Sequence, residues 1–217
     1  MQRVRIVGIT NPVIDGIKTA GELIAYCARV SNPSNQMNTL TAPKLLKYCV
    51  DHKHWSVFET VSVTMEIETT RDIGRQILRH RSFSFQEFSQ RYADPTKDLN
   101  YEIREARLQD TKNRQNSIDT DNEKLIRDWS ALQHDIWQHS KSAYKWAIEN
   151  GIAKEQARSV LPEGIIMSRM YMSGTVRSWI HYIQLRTDKA TQKEHREVAE
   201  MCSLEIKRAI PELADIF

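Results

Sequence analysis

The chain has 217 residues, 40% hydrophobic, 8% aromatic and 27% charged, with only 7 glycines and 6 prolines. This excludes collagen-like, low-complexity and disulfide-scaffold classes and leaves enough apolar material for the core of one domain, expected to span residues 1–217. A net charge of +3, from 31 basic and 28 acidic residues, is too mild to imply DNA or another polyanion as a partner.

From the N-terminus, Val4 and Ile6 alternate with Arg3 and Arg5, which predicts a strand over 3–9. That opening is too short and too charged for a signal peptide. No later stretch approaches the roughly 20 apolar residues of a membrane-spanning helix, so a cytoplasmic location without membrane contact is expected. Leu23, Ile24 and Cys27 predict a short helix over 21–29, ended by Asn32-Pro33-Ser34-Asn35. Thr41 is the expected N-cap of a second helix running to about Asp51, its hydroxyl accepting from first-turn amides while Pro43 sits where none is needed. The clearest strand is 61–68, with Val61, Val63, Met65 and Ile67 on one face and Ser62, Thr64, Glu66 and Glu68 on the other. Helical spacing follows over 70–80 through Ile73, Ile77 and Leu78.

Residues 93–122 are polar, and a run of that length inside a compact domain reads as a lid or flexible flap. A long helix is predicted over about 121–149, where Leu125, Trp129, Leu132, Ile136, Ala143 and Ala147 recur at helical steps and Gly151 stops it. Trp129, Trp137 and Trp146 on it are read as core or subunit-contact residues. Further helices are expected over 153–161, 175–185 and about 188–210, with a possible strand over 165–172. The whole is an α+β fold: an antiparallel or mixed sheet packed against long helices.

Cys27, Cys49 and Cys202 are odd in number and lack CxxC or Cys/His ligand spacing, so they are read as buried thiols. His52-x-His54 is half a metal site with no evident third ligand, and no metal is expected. The chemistry concentrates between 71 and 91. Arg71, Arg75 and Arg79 fall four apart and form one helical stripe, and Arg81 and Arg91 follow. Guanidiniums stay charged and repel one another unless anions share the site, and only Asp72 and Glu87 are acidic neighbours in sequence. Interleaved hydroxyls and amides complete a phosphate or carboxylate cradle. A merely solvated basic face would have no use for Phe83, Phe85 and Phe88.

Arg79-His80-Arg81, Ser84, Ser89 and Arg91 match the RHRxxSxxxxSxR signature at every fixed position, and the chain resembles the flavin-dependent thymidylate synthases. His54, Phe58-Glu59, the stretch from Ala157 to Pro162, Gly174-Thr175-Val176-Arg177, and Leu185-Arg186-Thr187-Asp188 followed by Gln192 resemble the family's other blocks, in order. The resemblance covers roughly residues 20–205 and implies a homotetramer with active sites built from several subunits. It implies methyl transfer: dUMP, methylenetetrahydrofolate and NADPH give dTMP, with bound FAD carrying the electrons.

The resemblance implies that Arg186 stabilises the ionised uracil ring, with Arg91 beside it. Gln76, Ser89, Gln90 and Arg158 are implied dUMP ligands, and Glu87 a contact near the phosphate or cofactor. Arg79, His80 and Arg81 are implied FAD contacts, joined by Ser56 from a strand edge and by Thr175, Arg177 and His181. Thr175 and His181 stand where the family often has asparagine. His54 falls near flavin or folate. Ser89 as a nucleophile lacks a base, because His80 lies nine residues away between two cations that lower its basicity. None of the cysteines has the cationic surroundings that make a thiolate, which disfavours cysteine attack on the uracil ring. Two rivals remain at this level: a single-stranded nucleic-acid binding module, with phosphates on the arginines and bases on the phenylalanines, and a nucleotide sensor that binds dUMP without turnover.

Overall fold

A computed structural model describes residues 2–217. Strand β1 (Arg3–Ile9) is followed by helices α1 (Ala20–Ala28) and α2 (Ala42–Asp51) and a 3₁₀ turn at Trp55–Glu59. Next come β2 (Ser62–Thr70), α3 (Arg71–Ile77), β3 (Ser84–Glu87), the single turn α4 (Pro95–Asp98) and a hairpin of β4 (Arg107–Gln109) and β5 (Ser117–Asp119). The second half holds α5 (Glu123–Glu149), α6 (Lys154–Ala157), β6 (Met167–Thr175), α7 (Val176–Arg186) and α8 (Lys193–Ala209).

Four strands form one antiparallel sheet in the order β1-β2-β6-β3. The alternation in β2 sets its two faces. Val63, Met65 and Ile67 join Met170 and Met172 in a core closed by Ile73 and Ile77 of α3, Trp179, Ile180 and Ile183 of α7, and Val198, Cys202 and Ile206 of α8. The opposite face carries cross-strand polar pairs: Arg5 Nε donates to Glu66 at 2.6 Å, Tyr171 to Glu66 at 2.9 Å, and Arg169 to Glu68 at 2.7 Å. Trp179 Nε1 donates to the Val63 carbonyl at 3.0 Å, pinning α7 to the sheet. At the β6–α7 junction a Cβ on Gly174 would stand 2.5 Å from the Phe83 ring, so that ring lies against bare backbone.

Several expectations need correction. Thr41 precedes α2, but its hydroxyl accepts from Arg29 at 2.8 Å instead of capping. The strand of the second half is 167–175, not 165–172, and the last helix begins at Lys193 because Thr187–Thr191 turn beforehand. On α5 the stripe Trp137, Tyr144 and Ala147 is buried, while Trp129 (41%), Leu132 (57%) and Ile136 (50%) are exposed. One residue's rotation about a helix is about 100°, so the apolar surface of α5 is wider than its buried stripe. Gly151 follows α5 in the left-handed conformation (φ 76°), which an ordinary side chain resists. Cys27 is half-buried, unlike Cys49 and Cys202.

The polar run 93–122 holds α4 and the β4–β5 hairpin. Its middle is tied to the body: buried Gln133 bonds both the amide and the carbonyl of Arg104 at 2.9 Å, and Glu102 N donates to Ile165 O at 2.9 Å. Arg104 also pairs with Asp72 at 2.8 Å and with Glu194 at 2.9 Å. Arg107 pairs with Glu194 as well.

Candidate active site

The arginines sort by what neutralises them. Arg71 is buried and pairs with Glu87 at 3.4 Å and Glu163 at 3.2 Å; Arg75 shares Glu163 at 3.1 Å. The bond from Arg75 is the main reason the Glu163 carboxyl is held below its ordinary range. Glu163 lies far away in sequence, so the expected shortage of acids around this stripe is corrected by the tertiary fold. The stripe is also shorter than expected, since α3 ends at Ile77 and Arg79 falls in the turn beyond. Arg91 lies 3.6 Å from Glu155, and Arg177 pairs with Glu59. Among the described residues, Arg79, Arg81 and Arg158 form no ion pair, and Arg79 and Arg81 are exposed. Guanidiniums left without an acid are the ones suited to an anionic guest.

Arg186 ends α7 and donates through Nε to His80 Nε2 at 2.9 Å. An acceptor nitrogen there puts the His80 proton on Nδ1 and leaves the ring neutral. Burial lowers the His80 pKa to about 4, with Arg186 the further cause. Its low basicity was expected, but the dominant reason is desolvation, not its sequence neighbours. The His80 ring meets Tyr182 edge-on at 4.8 Å. Tyr182 contacts buried His195, whose Nδ1 faces Gln76 Oε1 at 3.1 Å. Thus Gln76 and His80, four positions apart at the end of α3, meet Arg186, 106 positions beyond His80, where α3, α7 and α8 converge.

A second group gathers at the start of α7. The Thr175 hydroxyl accepts from the Ser178 amide at 3.4 Å and caps the helix, and the Ser178 hydroxyl donates to Ser82 O at 3.2 Å. The Arg177–Glu59 pair and the His181–Trp55 contact, centroids 4.6 Å apart, join α7 to the 3₁₀ turn that carries Ser56. Ser56 is exposed on that turn, not at a strand edge as expected.

The third group surrounds β3. The Glu87 carboxylate accepts from Ser168 at 2.8 Å and from Arg71. Ser89 Oγ accepts from the Arg91 amide at 3.4 Å. Gln90 is only 3% exposed, and its Nε2 has no partner. A buried amide donor left unmatched is costly, and it marks a place where an acceptor belongs. Arg158 stands one helical turn after Glu155, the partner of Arg91.

Burial raises the thiol pKa of Cys49 and Cys202. Phe83 is packed 4.8 Å from Trp179 and faces Gly174, so it is no platform for a stacked base. That weighs against the nucleic-acid reading. The residues that sequence reasoning missed are Glu163, Tyr182, His195 and Glu194. Nothing local marks them, because each acts through a partner at least 88 residues away in sequence or, for Tyr182, through another helix. No helix among the described residues is long and apolar enough to cross a membrane.

The fold is an α+β arrangement shared with solved nucleotide methylases. A UMP/dUMP methylase, PolB from Streptomyces cacaoi, bound with 5-Br dUMP, superposes with a TM-score of 0.81 at 23% identity, covering all of this chain and 94% of that one. The model of the thymidylate synthase complementing protein family matches residues 12–212, and the chain belongs to that family. It is 53% identical over 199 residues, 90% of each chain, to a flavin-dependent thymidylate synthase of Synechocystis sp.. It is 50% identical over 210 residues to a probable flavin-dependent thymidylate synthase of Paramecium bursaria Chlorella virus 1, covering 97% of this chain and 96% of that one.

Proposed function

We propose that this chain methylates dUMP to dTMP, using methylenetetrahydrofolate as one-carbon donor and NADPH as reductant, with FAD as its bound cofactor. The reading includes a cytoplasmic homotetramer whose sites draw residues from several subunits. Family membership and the two relatives at 50% identity or more support the reaction class. The observation that carries the residue assignment is the Arg186 guanidinium held on neutral His80 beside exposed, unpaired Arg79 and Arg81.

Uracil is a poor carbon nucleophile at its 5-position and needs negative charge stabilised on the ring. Arg186 supplies a fixed positive charge. His80, being neutral, orients that charge without cancelling it or adding a competing cation. Arg91, Arg158, Ser89 and Gln90 hold the dUMP phosphate and sugar, with the unpartnered Gln90 Nε2 as a ready donor. Gln76 binds the nucleotide through its amide. The Glu87 carboxylate is occupied by Ser168 and Arg71, so Glu87 meets dUMP through its backbone. Arg79, Arg81 and Arg177 suit the pyrophosphate of FAD in charge and hydrogen-bonding capacity, and Ser56, Thr175 and His181 border them. When bound, the flavin carries reducing equivalents between NADPH and the transferred carbon.

The test is turnover by the Arg186→Ala variant, followed as dTMP formed from dUMP. A drop of about 10²- to 10³-fold in kcat, the usual scale for removing one stabilising donor, is expected with flavin still bound. Unchanged turnover would remove the role given to Arg186.

A further inference from the structure

A continuous set of hydrogen bonds runs from Glu194 to Tyr182 through Gln192, Gln76 and His195, and its direction is fixed at the Glu194 end. Glu194, buried and paired with Arg104 and Arg107, is held ionised and can only accept. Gln192 therefore turns its Nε2 toward Glu194, at 2.9 Å, and its Oε1 toward Gln76. Gln76 must then donate through Nε2 to Gln192 Oε1, at 2.7 Å, which points its own Oε1 at His195. An amide oxygen only accepts, so His195 Nδ1 carries the ring proton and Nε2 is bare. The Tyr182 hydroxyl, 3.2 Å away, donates to that bare nitrogen. His195 is fully buried, and burial together with Arg186 and His80 depresses its pKa to about 3, so it keeps one proton at neutral pH.

We infer that His195 is a positioning residue that, with Tyr182 behind it and the Gln192–Glu194 pair on the other side, locks the Gln76 amide in one of its two flip states. What remains free on Gln76 is one N–H and one oxygen lone pair. A ligand meets that donor and acceptor already oriented, so no binding energy is lost in choosing between flips. The inference rests on the reading that Gln76 binds dUMP. It adds a specificity element: a partner whose donor and acceptor are exchanged meets the same amide in the wrong sense.

The experiment measures dUMP Kd on flavin-loaded enzyme for the wild type, Gln76→Ala, His195→Leu, the double variant and His195→Gln. Flavin occupancy serves as the check on folding. Gln76→Ala is expected to weaken dUMP about tenfold, the scale of one hydrogen bond of this kind. His195→Leu should weaken it similarly, and the double variant no further, because His195 acts only through Gln76. His195→Gln, whose amide can donate to Gln76 and accept from Tyr182, should restore binding to within about twofold. If His195→Leu does not retain flavin, Tyr182→Phe takes its place, and its effect should vanish in the Gln76→Ala background. Additive losses, or wild-type binding in His195→Leu beside weakened Gln76→Ala, overturn the inference and leave the Gln76 reading standing. Wild-type binding in Gln76→Ala removes both.

Discussion

Arg186 and His80 show how one contact sets two properties. The 2.9 Å bond fixes the guanidinium, and the same guanidinium together with burial keeps the imidazole neutral. Holding two histidines neutral has a consequence for stability. In the folded protein His80 and His195 titrate near 4 and near 3, against an ordinary value of 6.5. Below pH 6.5 the unfolded chain takes up protons that the folded protein refuses, so stability is intact above that value and falls as the pH drops toward 4. For His195 the slope is up to about 1.4 kcal/mol per pH unit. Urea midpoints measured at pH 7 and pH 5 should show this loss, and His195→Gln should reduce it by the His195 share. Equal midpoints at the two pH values would show that these imidazoles are not kept neutral.

At the scale of elements, local periodicity determines most of the strands and helices. Strand β2 announced itself because one face is buried and the other polar, and β1, α1, α2, α5 and α7 followed from their own periodicities and stops. The errors came where a distant element overrode the local signal. Thr41 gave its hydroxyl to Arg29, and Arg71 sank into the core because Glu163 and Glu87 were there to meet it. The signature residues of the site were legible as a motif, but the contacts that orient them were not, since Gln76 and His195 are 119 positions apart. The 93–122 segment carries its own expectation. Arg104 and Arg107 anchor it to Glu194, while the hairpin tip beyond Gln109 faces solvent. Trimming residues 110–116 should therefore keep flavin bound and raise KM for folate or NADPH severalfold. Unaltered kinetic constants would rule out a lid role for the hairpin.

The whole molecule leaves apolar surface uncovered. Trp129, Leu132 and Ile136 line one side of α5, and Leu108 of the hairpin borders the same end of the helix. We propose this patch as a contact between copies in the tetramer of the proposed function. Leu132→Glu should lower the assembly state in sedimentation, and turnover should fall with it if sites span subunits. A tetramer that persists at full activity would place the contact elsewhere. Whether these guanidiniums seat a flavin opposite a pyrimidine nucleotide is tested most directly by the visible spectrum of the purified protein. The protein should be yellow or take up added FAD, and NADPH should bleach the flavin band efficiently only when dUMP is present. A colourless protein that refuses FAD, or bleaching indifferent to dUMP, would contradict it.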